Sequence, residues 1–111
     1  MPYNQNLAER IRTFLGTRTG LIEKKMFGGV GFLLHGNMAC GVLGDDLIVR
    51  VSAKDYDSAL SKPFVRPFMM TGRKPMQGWI FVAPEGWIPD QALRQWIDMG
   101  CEYVMTLPKK N

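Results

Sequence analysis

The sequence predicts a two-layer α+β domain: a curved antiparallel sheet of about five to six strands with helices packed on one face. The predicted order is α-β-β-β-β-α-β-β-α. Segments near both ends of the chain repeat apolar residues at helical spacing. Between them, short alternating apolar segments are separated by glycine-containing turns. A chain of 111 residues that is 46% hydrophobic and 22% charged fits one ordered domain spanning 1–111.

The first predicted helix covers residues 4–16. Asn4 can cap its N-terminus, and Leu7, Ile11 and Leu15 recur at helical spacing. Gly16 is a typical residue for its C-terminal end.

The next segment, residues 21–27, alternates and predicts a strand that ends at Met26-Phe27. Clustered glycines mark a bulge, a bend or a close backbone approach, so the chain is expected to turn through Gly28-Gly29. In the second strand we expect Gly31 to lie under a group that needs the room. A tight hairpin is the plain interpretation, and a ligand over the Gly28-Gly29 backbone is the alternative.

Three further segments complete an antiparallel meander. A glycine at the first central position of Gly36-Asn37 suits a type II′ hairpin, with His35 solvated beside it. The third strand is expected to carry Met38, Cys40 and Val42 on one face. After the Gly44-Asp45 turn, the fourth strand is expected to point Leu47, Val49 and Val51 inward and Ile48 and Arg50 outward.

The second half predicts two helices and two strands. Ser52 followed by Asp55 resembles a capping box before a helix over 53–60. Prolines interrupt 63–77, which predicts a loop with a short edge strand, whereas 78–83 is apolar on both faces and predicts a central strand or a dimer contact. Pro89 and Asp90 start the last helix. The first and last helices are expected to cover five sheet residues, namely Phe32, Leu34, Leu47, Val49 and Phe81.

The glycine-rich segment also carries a family resemblance. Met26-Phe27-Gly28-Gly29-Val30-Gly31-Phe32, followed by Gly36-Asn37-Met38, resembles the signature of the TfoX N-terminal domain family. The likeness continues through 46–51 and from Gly78-Trp79 to the last helix. It implies a small α+β domain with a curved antiparallel sheet, linked to bacterial regulators of natural competence. Longer members carry a second, helical domain, so the chain is expected to be a stand-alone N-terminal domain in which Met26, Phe27, Gly28, Gly29 and Gly31 are structural.

Few residues are suited to chemistry. His35 is the sole histidine, the carboxylates are scattered, and Cys40 and Cys101 lack metal-ligand or redox-motif spacing. We therefore expect no enzymatic activity, no metal and no cofactor, and two buried reduced thiols. With no signal sequence and no apolar segment long enough for a membrane helix, a cytoplasmic protein is expected.

Two functions remain open at this point. Eight methionines and three tryptophans, together with the resemblance, favour a regulatory module that binds a protein partner, with a homodimer as one form of it. Alternatively, residues 58–84 lack acidic side chains, and Lys62, Arg66, Arg73 and Lys74 alternate with aromatic residues there. This segment, chiefly 62–81, predicts weak nucleic-acid binding. Core aromatics with merely solvated cations explain the same pattern.

Overall fold

The computed structural model describes residues 3–26, 28–69 and 76–110. Its helices are α1 (Gln5–Leu15), α2 (Ala53–Leu60), α3 (Pro84–Trp87) and α4 (Asp90–Val104). Its strands are β1 (Leu21–Met26), β2 (Gly29–Leu34), β3 (Asn37–Leu43), β4 (Asp46–Arg50), β5 (Val65–Pro67) and β6 (Trp79–Val82). The predicted α+β class and element order are confirmed, apart from the single-turn helix α3.

The strands form one antiparallel sheet in the order β1-β2-β3-β4-β6-β5. Strands β1 to β4 are therefore neighbours in both the chain and the sheet. As predicted, the segment after Pro63 contributes a short edge strand, β5, which ends at Pro67. Strand β6 lies one position inside this edge, so it pairs on both sides with β4 and β5.

Side-chain caps fix the starts of the first two helices where the sequence predicts them. The Asn4 side chain accepts a hydrogen bond from the Leu7 amide at 2.9 Å, and Ser52 accepts one from Asp55 at 3.1 Å. The helix that was not predicted, α3, has a proline in its first turn. Its Trp87 is buried and donates an indole hydrogen bond to the Asp45 carbonyl at 2.9 Å.

Both predicted hairpin turns lie one residue too late in the chain. Met26 pairs with Gly29, so β2 begins at Gly29, which is buried against the Val42 carbonyl of β3. In the second hairpin Leu34 pairs with Asn37, which makes His35 and Gly36 the central residues.

This second turn is not the predicted type II′ turn. Both central residues have positive φ angles, 51° at His35 and 85° at Gly36. That is the type I′ pattern, whose twist matches the twist of the flanking strands. His35 is also half-buried, because its ring packs on Gly20, and the expectation of a solvated histidine is wrong.

A β-bulge changes which side chains of β3 face the helices. Phe32 pairs with Cys40 but Leu33 pairs with Met38, so Ala39 is an extra residue on β3. Cys40 and Val42 face the helices as predicted. Met38 faces away from them, because the extra residue reverses the alternation, and its predicted placement is wrong.

The hydrophobic core lies between the helices and one face of the sheet. All four helices contribute to a single buried cluster that includes Phe32, Leu34, Leu47 and Val49, as predicted. Phe81 was also expected there, but it pairs with Ile48 and Arg66 and lies on the opposite face. Strand β3 approaches α4 so closely that a Cβ on Gly100 would overlap the Ala39 carbonyl oxygen. No helix within the described ranges is long and apolar enough to cross a membrane.

Candidate partner-binding surface

The sheet face opposite the helices, here called the outer face, is the candidate functional surface. Directly paired residues of neighbouring strands share a face, so the register assigns its members. Strands β1 to β3 contribute Ile22, Lys24, Met26, Gly29, Gly31, Leu33, Met38, Gly41 and Leu43. Strands β4 to β6 contribute Asp46, Ile48, Arg50, Arg66, Trp79 and Phe81, and Phe68 follows β5.

The outer face is apolar, although no described helix covers it. An antiparallel sheet with one solvated face usually carries polar side chains there. Here Leu33, Met38 and Leu43 are half-buried, while Ile48 and Phe81 are only 7% exposed. Ile48 and Phe81 are nevertheless separate from the main core cluster. Among the described residues, Phe68 and Arg66 pack on the Phe81 side chain.

At the β5–β6 side of the outer face, three aromatic rings cluster, and arginines cover two of them. The Phe68 ring centroid lies 4.9 Å from that of Phe81 and 6.4 Å from that of Trp79. The Arg66 guanidinium lies 4.6 Å from the Phe81 centroid, and that of Arg50 lies 5.2 Å from the Trp79 centroid. Both distances are within the range of cation–π attraction. These contacts explain why Phe81 is shielded.

Arg66 is held in this position by a carboxylate. Its Nη2 atom donates to Asp46 Oδ2 at 2.6 Å, and the two residues belong to strands on either side of β6. The pair is partly solvent-exposed, so it fixes the orientation of Arg66 more than it stabilises the fold.

The middle of the outer face contains a trough without side chains. Gly31 of β2 pairs directly with Gly41 of β3, and both are buried. Two methionine side chains cover the pair. A Cβ on Gly31 would lie 3.1 Å from both Met26 Cε and Met38 Sδ, and a Cβ on Gly41 would lie 2.6 Å from Met38 Cε. The flexible ends of Met26 and Met38 therefore occupy the space above Gly31, whereas a Cβ on Gly41 would also meet backbone, 2.6 Å from the Val30 carbonyl oxygen.

The charges of the outer face are mainly positive. Its described residues include the cations Lys24, Arg50 and Arg66 but only one carboxylate, Asp46. Lys24 lies on the edge strand β1, and Arg66 lies on β5 at the other edge. The apolar centre is thus bounded by a cation on each side.

The residues predicted for nucleic-acid or partner contact are not brought together on this surface. Arg66 lies on the outer face, but Lys62 lies in the helix layer, with its Nζ 5.2 Å from the Trp96 ring centroid. Arg73 and Lys74 lie outside the described residues. Sequence reasoning did not identify Arg50 or the trough as parts of a site.

The family-motif residues surround the first hairpin. Met26, Gly29 and Gly31 belong to the outer face, and Gly28 has a φ of 79° in the turn. Phe27 lies outside the described residues. Gly31 does lie under groups that need the room, as expected, and those groups are the Met26 and Met38 side chains.

Elsewhere, the potentially reactive groups are buried or scattered. Cys40 and Cys101 are free and buried, and burial raises the pKa of both thiols, which keeps them protonated. A groove of about 470 Å³ lies between α2 and α4 and is lined partly by Asp55, Asp98 and Glu102. Within the described ranges, no group of three or more histidine, cysteine or carboxylate residues is arranged to hold a metal ion.

Comparison with known proteins gives one match. The model of the family described as TfoX N-terminal domain matches residues 14–103. Searches of curated proteins and of solved structures returned no significant match. The matched residues include all six strands and most of the helix layer.

Proposed function

Because the chain belongs to the TfoX N-terminal domain family, we propose that it is a non-catalytic regulatory module that acts through protein–protein contact. The family resemblance links it to regulators of bacterial natural competence. The observation that carries the proposal is the apolar outer face. A face that stays half-covered by its own methionines, leucines and arginines is suited to binding another protein.

The size of this face favours a regulated contact over a permanent one. Five strand spacings of about 4.8 Å and roughly five residues per strand give a face of roughly 24 by 17 Å, or about 400 Å². Apolar patches of this order, about 300–600 Å², often have a function in monomeric proteins. A stable complex usually buries about 800 Å² on each partner. The outer face alone therefore suits a reversible complex.

Site-specific photo-crosslinking in cells tests this function. A photoreactive amino acid replaces Leu33 or Leu43 on the outer face, and Gln95, which is exposed on α4, serves as the control position. We expect a discrete crosslinked protein from both outer-face positions and not from Gln95. Excess unmodified chain should compete the crosslink away, whereas chain carrying Leu33→Lys should not. Equal crosslinking at Gln95, or none at Leu33 and Leu43, refutes the proposal.

A homodimer is the form of this proposal that purified protein can test. Light scattering over a wide concentration range should show a dimer that Leu43→Lys dissociates. A monomer at every concentration removes self-association and leaves a different protein as the partner.

A second candidate function, weak binding of single-stranded nucleic acid, is favoured by the aromatic cluster. Phe68, Trp79 and Phe81 lie on an open sheet face beside Arg50 and Arg66, and aromatic rings of this kind can stack on bases. The arginines already cover two of the rings, so bases would have to displace them.

Fluorescence anisotropy with short single-stranded and duplex DNA at low salt tests this second function. Binding should weaken as salt rises, and removing Arg73 and Lys74 together should reduce the salt dependence. Absence of any titration at low salt eliminates nucleic-acid binding.

A further inference from the structure

We propose that the outer face binds an amphipathic helix of another protein, with one large apolar side chain seated in the Gly31–Gly41 trough and carboxylates flanking its apolar stripe. This inference rests on the proposed function and names the class of partner. It follows from three features: a trough covered by movable side chains, a row of outer-face residues about as long as a helix of four to five turns, and a cation at each end of that row.

The trough can open without disturbing the sheet. Its floor is the paired backbone of Gly31 and Gly41, and only side-chain ends of Met26 and Met38 occupy it. A methionine side chain is unbranched and has several rotatable bonds, so it can move aside and repack against an incoming group. Both methionines are half-buried and so have solvent on one side. A partner's Leu, Phe or Trp can take their place.

The trough belongs to a row of six outer-face residues that crosses every strand. In sheet order the row is Lys24, Gly31, Gly41, Ile48, Phe81 and Arg66. Six strands about 4.8 Å apart make this row roughly 24 Å long, which equals about 16 residues of α-helix. A helix of four to five turns therefore spans from Lys24 to Arg66.

The charges distinguish an acidic helix from a second copy of the chain. The row ends in a cation on each side: Lys24 is exposed, and Arg66 is paired with Asp46. Arg50 adds a third cation at the rim of the face, where its guanidinium also lies 5.6 Å from the Tyr103 ring centroid of α4. Asp46 is the one carboxylate among the described outer-face residues, so the face keeps a positive excess. A second copy placed face to face would present the same excess of positive charge to this face, so the two faces would repel each other. Carboxylates flanking an apolar stripe would instead be attracted at both ends.

A designed peptide of about 18 residues tests this inference directly. Its helix carries a leucine stripe with one central tryptophan and glutamates on both flanks. The matched peptide has lysines in place of the glutamates. Fluorescence anisotropy should show binding of the glutamate peptide at least about fivefold tighter than binding of the lysine peptide.

Two protein variants separate the trough from the charges. Gly31→Ala fills the trough, and because it contacts only movable methionine ends, the fold should be retained. It should weaken the glutamate peptide at least about tenfold, since the tryptophan loses its seat. Lys24→Glu should reduce the preference for glutamate over lysine flanks. Lys54→Glu, an exposed control on α2, should leave both affinities unchanged.

Methionine methyl NMR gives an independent measurement. The ε-methyl signals of Met26 and Met38 should shift on peptide addition, while that of Met99 on α4 should not. Equal binding of both peptides, or unchanged affinity in Gly31→Ala, overturns the inference. Competition by single-stranded DNA, or a dimer that excludes the peptide, overturns it as well. The crosslinking experiment in cells does not depend on the class of partner. A positive crosslink together with a failed peptide test would therefore keep the proposed function and reject only this inference.

Discussion

Replacing Gly31 and Gly41 with alanine, one at a time, tests the geometry of the outer face. The two glycines are directly paired, yet their surroundings differ. A Cβ on Gly31 would meet only the Met26 and Met38 side-chain ends, at 3.1–3.3 Å. A Cβ on Gly41 would lie 2.6 Å from the Val30 carbonyl oxygen, which is backbone. The first contact relaxes by side-chain rotation, and the second requires two strands to move apart.

This difference has a calculable size. Alanine in place of glycine within a strand gains roughly 0.5–1 kcal/mol of backbone entropy. For Gly31→Ala this gain offsets the methionine adjustment, so the free energy of unfolding should change by less than about 0.5 kcal/mol. For Gly41→Ala, overpacking against backbone costs about 1–3 kcal/mol. Gly41→Ala has the same entropy gain, so the two variants should differ by about 1 kcal/mol, or roughly 4–6 °C in melting temperature.

Thermal and urea unfolding followed by circular dichroism measure both quantities. Gly31→Ala is the matched control, because it introduces the same methyl group on the neighbouring strand. Equal melting temperatures for the two variants, or a less stable Gly31→Ala, would refute the assigned packing. They would also remove the trough on which the peptide-binding inference rests.

Three further predictions concern the helix layer and its edge. Gly100→Ala should lower stability by about 1–2 kcal/mol, although alanine favours helices, because its methyl group would overlap a β3 carbonyl oxygen; a rise in melting temperature would contradict the close approach of α4. The hydrogen bond from Arg12 lowers the pKa of Glu23, so this exposed pair contributes up to about 1 kcal/mol above the ordinary glutamate pKa and nothing once pH falls through the lowered value. Glu23→Gln should therefore destabilise the fold in urea titrations at neutral pH, by an amount that shrinks as the pH falls through the lowered Glu23 pKa, and a loss that does not change with pH would argue against the pair. Burial raises the pKa of the Cys40 and Cys101 thiols, so a disulfide reagent should modify neither in the folded protein and both after unfolding; rapid labelling of the native chain would show that they are accessible.

The elements predicted best are those with local signals. Helix α1 begins after Asn4 and α2 after Ser52. Each capping side chain accepts a hydrogen bond from the backbone amide three residues later in the chain. In β4 the predicted inward residues Leu47 and Val49 lie in the core cluster, and Ile48 lies on the opposite face, because successive strand residues point to opposite sides. These features depend on neighbours in the chain, which a sequence displays directly.

The features that the sequence did not predict depend on pairing between strands. The bulge at Ala39 reverses the face of Met38, and only the register with β2 reveals it. Strand β6 is apolar on both faces, so its pattern did not distinguish Phe81 on the outer face from Ile80 in the core. Helix α3 carries only Pro84 as a sequence signal, and one turn is too short for periodicity to detect.

The same distinction applies to the candidate surface. The excess of methionine pointed to an adaptable binding surface, and Met26 and Met38 do lie on the outer face. The pairing of Gly31 with Gly41 follows from the register and not from either segment alone. The grouping of Lys62 with Arg66 used closeness in the chain, whereas in space Lys62 lies against Trp96 in the helix layer and Arg66 lies against Phe81 on the outer face.

The order in which the chain is made gives α4 a particular importance. Strands β1 to β4 are synthesised directly after α1 and pair with their chain neighbours, so this part of the sheet can form early. The helix that covers β3 and β4 is synthesised last. Until α4 is synthesised, the apolar side chains of β3 and β4 that it covers stay exposed to solvent, in addition to the outer face. Intermediates with exposed apolar surface tend to aggregate. A chain truncated before residue 90 would therefore lack α4 and be prone to aggregation. Binding of chaperones to the nascent chain should be greatest before α4 emerges from the ribosome.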